Sequence, residues 1–211
     1  MNLKNENHIQ QVKTYFISAL KLTTHKVTMI SILLALTTLI SLLEIPTFFG
    51  FLTIDFGSAI NLLAVVVLKL PYGLLIGIIM PWLRLIIPHT VPGNVVGELS
   101  YMLSTISLIL IYCSFHMLFK LLPYWKNEPT NWWKRLLIVE LPVVIITCIL
   151  VSFVNVFFNW AFILDLYGQG DYKNQLWIVF LPYNLFKFTL VLGLFLLLIR
   201  SVQILGQHFN Y

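Results

Sequence analysis

Apolar residues run through this chain in long blocks, broken by short polar stretches, and the blocks predict its elements. A membrane-crossing helix needs about 20 mostly apolar residues, or about 17 at the short end. Such blocks stand near 27–45, 57–69, 71–88, 98–121, 136–163 and 175–199. The second is the shortest. It is cut from the third at Lys69-Leu70-Pro71-Tyr72-Gly73, because the residue before a proline is pushed out of helical geometry. The pattern therefore predicts an all-α integral membrane protein of six helices over 27–203, with no soluble domain attached. Residues 204–211 read as a cytoplasmic tail. In 1–26, Ile9, Val12, Phe16 and Leu20 recur at helical spacing among polar neighbours, which predicts a short amphipathic helix on the membrane surface. That segment is not expected to be a signal peptide, since its apolar run starts too late and no small-residue cleavage site follows. After the first block, "FFGFLTIDFG" (48–57) sets Leu52, Ile54 and Phe56 against Phe51, Thr53 and Asp55. This alternation predicts a short extended segment, a candidate lid, the other reading being an ordinary connector.

Composition agrees with a bilayer. Apolar residues make up 59% of the chain and charged residues 10%, where a soluble domain carries about a quarter charged. Lys and Arg then set the orientation. Lys4, Lys13, Lys21, Lys26, Lys69, Lys120, Lys126, Lys134, Arg135 and Arg200 flank the blocks on one side, and Lys173 stands alone on the other. The positive-inside rule places both termini in the cytoplasm. Basic runs interleaved with aromatics are absent, so nucleic acid is not an expected partner. Cys113 and Cys148 read as small buried apolar residues. The five histidines are scattered without metal-ligand spacing, and no HExxH, GxSxG, phosphate loop or CxxC occurs. No metal site is expected, and an enzyme is the weaker class.

Polar side chains inside apolar helices are costly and point to function. Arg84 ends the third block and Glu98 opens the fourth, followed by Tyr101. Asn155 and Asn159 share a face of the fifth block. Asn184 and Lys187 lie one turn apart in the sixth. With alternating topology all of them fall in one outer half of the bilayer, which predicts a pocket opening outward. Each has a plainer reading: snorkelling for Arg84 and Lys187, helix capping for Glu98, helix–helix hydrogen bonding for Asn155 and Asn159. Pro182 frees a backbone carbonyl, tolerable where helices line a cavity. Glu140, at the opposite end of the fifth block, is expected to pair with a cation of the inner loop. In the first block, Thr28, Ser31, Ala35 and Thr38 form a face of small residues, suited to close approach by another helix. Leu33, Ile40 and Leu43 lie on the opposite face.

Several stretches resemble the substrate-binding S components of energy-coupling-factor (ECF) vitamin transporters, most closely the riboflavin-specific members. They are "LTIDFGSAINLLA" (52–64), "LPYGLLIG" (70–77), "GELSYML" (97–103), "NWAFILDLYG" (159–168) and "PYNLFK" (182–187). The resemblance implies a vitamin-binding subunit of a prokaryotic plasma-membrane importer, not an enzyme, with riboflavin as transported ligand and no permanent cofactor. It implies three partners: a transmembrane scaffold and two ATPases. It assigns Asn184, Lys187 and Asn159, with Asn155 as alternate, to the polar chain of the vitamin. It also assigns Ser31 and Ala35 to docking on the scaffold. Folate, pantothenate or thiamine as the vitamin is the alternative, and an intramembrane enzyme the weaker one.

Overall fold

The computed structural model describes residues 23–47, 52–87, 94–121 and 132–208. The expected surface helix near 9–20, the start of the candidate lid (48–51) and much of the basic loop (122–131) lie outside them.

Six main helices follow one another up and down. Helix α1 (Thr24–Ser41) starts at Thr23, whose hydroxyl accepts the Lys26 amide at 3.3 Å. It ends four residues before the first block does. The chain then runs extended, and strand β1 (Ile45–Pro46) pairs antiparallel with β2 (Thr53–Ile54), Ile45 opposite Ile54. Thr47 closes this hairpin by donating both its amide and its hydroxyl to the Leu52 carbonyl.

Helix α2 (Gly57–Leu68) begins where the Asp55 carboxylate accepts the Gly57 amide at 3.1 Å. It stops at Lys69, which takes φ +76°. Pro71 then sits in the first turn of α3 (Leu70–Ile86), where its missing N–H has no helical partner to lose. Ten of the twelve α2 residues are buried, so α2 is the centre of the bundle, touching α1, α3, α4 and α6. Asn61 joins it to α3, donating to the Gly73 carbonyl at 3.0 Å and accepting from the Gly77 amide at 3.2 Å. A Cβ on Gly77 would stand 2.8 Å from the side-chain amide of Asn61, so glycine keeps this junction close.

Helix α4 (Val95–Leu121) is followed by α5 (Leu141–Phe158) and α6 (Leu181–His208). Both later helices are entered through a π turn: Leu136–Glu140 before Pro142, and Leu176–Phe180 before Pro182. A proline inside a helix lacks its N–H and presses on the carbonyl four residues back, and a widened turn relieves both. A third π turn, Asn159–Ile163, prolongs α5, and the Asn159 side chain there donates to the Asn155 carbonyl at 2.9 Å. The core lies where α2, α4, α5 and α6 meet, around Leu62, Leu108, Val151, Phe188 and Phe195.

Among the described residues, four stretches are long and apolar enough to cross a membrane: Thr24–Ser41, Val95–Phe119, Leu136–Leu166 and Gly170–Ser201. Helices α2 and α3 are shorter, with 12 and 17 residues. At a rise of about 1.5 Å per residue, α2 covers only about 18 Å. Helix α6 continues to His208, so most of the expected 204–211 tail is helical.

Candidate functional site

The hairpin, the last turn of α3 and the first turns of α4 and α6 meet at one end of the bundle. There the chain gathers five charged side chains, four of them buried and Lys187 partly so. Arg84, on the last turn of α3, is paired with Glu44 from the α1–β1 connection and lies 3.4 Å from Glu98 on the first turn of α4. Lys187, on α6, lies 3.2 Å from the Asp55 carboxylate and donates to the Thr53 carbonyl at 3.4 Å. Asp55 is 1% exposed.

Tyr101 stands between the two pairs. The Arg84 guanidinium lies 5.1 Å from its ring centre and the Lys187 ammonium 5.7 Å, placements in which a ring quadrupole attracts a cation. Its hydroxyl accepts from Ser58 at 3.1 Å, and Ser58 is 3.2 Å from the Thr105 hydroxyl. One step along α6, the Tyr183 hydroxyl donates to the Thr53 carbonyl. The hairpin is thus tied to α6 by Tyr183 and Lys187 together. Close packing supports this end. A Cβ on Gly57 would meet Ser41 Cβ at 2.7 Å and the Tyr101 hydroxyl at 2.9 Å. In the turn after α5, burial first and the Glu98 carboxylate second push the Tyr167 hydroxyl above its ordinary range.

The asparagines lie on the neighbouring helices. Asn155 and Asn184 are buried, and each donates one amide hydrogen to the carbonyl four residues back, at 2.8 Å. Asn159 is half-buried and bonded in the same manner. One N–H spent this way leaves each side-chain oxygen and the second N–H for another partner. Helices α5 and α6 face each other one turn further in, where the Cys148 thiol lies 3.7 Å from the Leu185 carbonyl.

The structure brings Arg84, Glu98, Tyr101 and Lys187 together, as their spacing suggests. The plainer alternative of snorkelling does not apply, because Arg84 and Lys187 are both members of ion pairs. Glu98 is the partner of Arg84 rather than only a helix cap. The candidate lid divides. Asp55 and Ile54 are buried and Phe56 partly so, while Leu52 packs against Val156, Leu164, Leu176 and Phe180. Glu44, Ser58, Thr105 and Tyr183 escape sequence reasoning. The one available signal was Glu44 itself, a carboxylate at the end of an apolar block just before Ile45-Pro46.

On α1, Thr28, Ser31 and Ala35 are exposed and Thr38 is buried. The small-residue face therefore turns inward at its last member. Leu33 and Ile40 pack into the bundle, whereas Ile32, Leu36 and Leu39 join Ser31 and Ala35 on the outside. At the far end, Glu140 is 1% exposed, accepts from the Tyr112 hydroxyl at 3.0 Å and lies 3.8 Å from the His116 ring. No group of three or more metal-ligating side chains forms among the described residues.

Comparison with known proteins supplies the family. Residues 25–199 match the family model of the ECF transporter substrate-specific component. Among solved structures, the chain is similar to the S component of a bacterial ECF transporter, with a TM-score of 0.65 and 22% sequence identity over 86% of this chain and 96% of the other. At that identity the structural likeness shows the fold alone. A comparison with curated proteins gives no match. The family model spans most of the chain, including every residue of the ion-pair cluster, and the chain belongs to the family of ECF transporter substrate-specific components.

Proposed function

We propose that the chain is the riboflavin-binding subunit of an ECF importer and holds the vitamin at the hairpin end of the bundle. The observation that carries this reading is that both cations at that end are already paired, Arg84 with Glu44 and Glu98, and Lys187 with Asp55. An anionic vitamin such as folate or pantothenate would meet three carboxylates for two cations. A neutral ligand with a hydroxylated chain suits the site better. Asn155, Asn159 and Asn184 can each donate and accept, and Lys187 retains a hydrogen beyond those directed at Asp55 and Thr53. Tyr101 and Tyr183 supply aromatic walls for a flat ring. The same carboxylate excess favours thiamine, a cation, as the second reading.

Basic residues concentrated at the other end of the bundle support cytoplasmic termini and a site facing outward, with α2 and α3 crossing together as a sheltered hairpin. A subunit without a nucleotide-binding motif needs ATPases to drive uptake, so a scaffold and two ATPases are its proposed partners. Thr28, Ser31 and Ala35, exposed on α1, are the proposed docking face. The ligand assignment is tested by calorimetric titration of the purified chain in detergent with riboflavin, thiamine, folate and pantothenate. Riboflavin is expected to bind and the two anions to give no heat. Binding of folate or pantothenate in preference to riboflavin would overturn the reading.

A further inference from the structure

Resting on the riboflavin reading, we infer that Asp55 is a specificity-determining residue: as the fixed counter-ion of Lys187, it admits a ligand whose tail ends in uncharged hydroxyls and rejects the same ligand carrying an anionic group. Asp55 belongs to the hairpin rather than to the helices that carry the other polar groups. One of its oxygens is held by the first amide of α2 at 3.1 Å, and the other lies 3.2 Å from the Lys187 ammonium. The helix start therefore positions the carboxylate, and its charge stays beside Lys187.

An ammonium has three hydrogens and no acceptor. One faces Asp55 and one the Thr53 carbonyl. The third is enough for a hydroxyl. A phosphate or carboxylate brought to the same nitrogen would lie within about 5 Å of the Asp55 charge, in surroundings that screen it poorly. Arg84 offers no substitute, being held between Glu44 and Glu98.

The test is to titrate the full chain in detergent with riboflavin and with riboflavin 5′-phosphate near pH 8, where the phosphate is doubly charged, following flavin fluorescence. The unaltered protein should prefer riboflavin by about tenfold or more, because the Lys187–Asp55 pair has no net charge to offset the desolvation of the phosphate. Asp55→Asn and Asp55→Ser each keep an oxygen for the Gly57 amide and remove the charge. In both, the preference should fall about tenfold or more while riboflavin still binds measurably. Retained riboflavin binding itself reports that the variants are folded. An unchanged preference in both variants overturns the role of Asp55, and so does loss of riboflavin binding in both, which would make Asp55 a ligand or a fold residue. Failure of the unaltered protein to bind riboflavin is a separate result, and it removes the functional reading together with the inference.

Discussion

At the residue scale, the site is a set of charges that hold one another in place. Lys187 is visible in the sequence as a cation in an apolar block, and on that view its removal should relieve a cost. The ion pair with Asp55 reverses the sign, because truncating one member leaves the other buried and uncompensated. Lys187→Ala is expected to destabilise the protein by about 3–5 kcal/mol, and Asp55→Ala to do the same. The double variant should recover much of that loss, and thermal melts of the four proteins in detergent complete the cycle. Additive losses would mean that the pair contributes nothing. Asn184→Ala should weaken ligand binding by about 1–3 kcal/mol, the range for an unsatisfied partner of a buried group, with the melting temperature little changed. The cations and asparagines were legible because each interrupts an apolar helix. Of their counter-ions, Glu98 was legible at a helix start and Asp55 only as part of the lid, while Glu44 was missed, since in connections carboxylates are ordinary and sequence spacing says nothing of approach across the bundle.

At the element scale, prolines and glycines explain most of the departures from regular helix. The place of the break was legible from Pro71, although it falls at Lys69, and Leu70, the residue before that proline, is already helical. The π turns before Pro142 and Pro182 were legible only as disturbances, because the pattern of apolar residues is indifferent to one extra residue in a turn. The shortness of α2 was legible, since its block is the shortest; its burial was not, because a helix buried on all sides and one facing lipid are equally apolar. Glycines separate tight contacts from open ones. Gly57→Ala would place a methyl 3.2 Å from the Thr37 carbonyl and closer still to Ser41. It should cost about 1–3 kcal/mol. Gly193, in α6, has nothing within 4 Å of the point where an added methyl would stand, so Gly193→Ala should be neutral or stabilising by up to about 1 kcal/mol. Melting temperatures ordered the other way would contradict the packing of α1, α2 and α4 at the hairpin end.

At the scale of the whole molecule, the proposed orientation and partners rest on the distribution of charge and on the exposed side of α1. A cysteine at Asp171, an exposed position beyond α5, should react with impermeant thiol reagents on intact cells. One placed within 126–131 should react only after lysis. Ala35→Trp should leave ligand binding by the isolated subunit unchanged and abolish uptake and co-purification with the scaffold, since Ala35 is exposed and Thr38 is the member of that face which packs inward. The most direct measurement of the central claim is stoichiometric titration of riboflavin with the purified chain, followed by flavin emission. Emission should fall linearly and break at one protein per flavin, with Asn184→Ala flattening the break. Undiminished emission with excess protein, or an identical curve for Asn184→Ala, would contradict a riboflavin site at the hairpin end of the bundle.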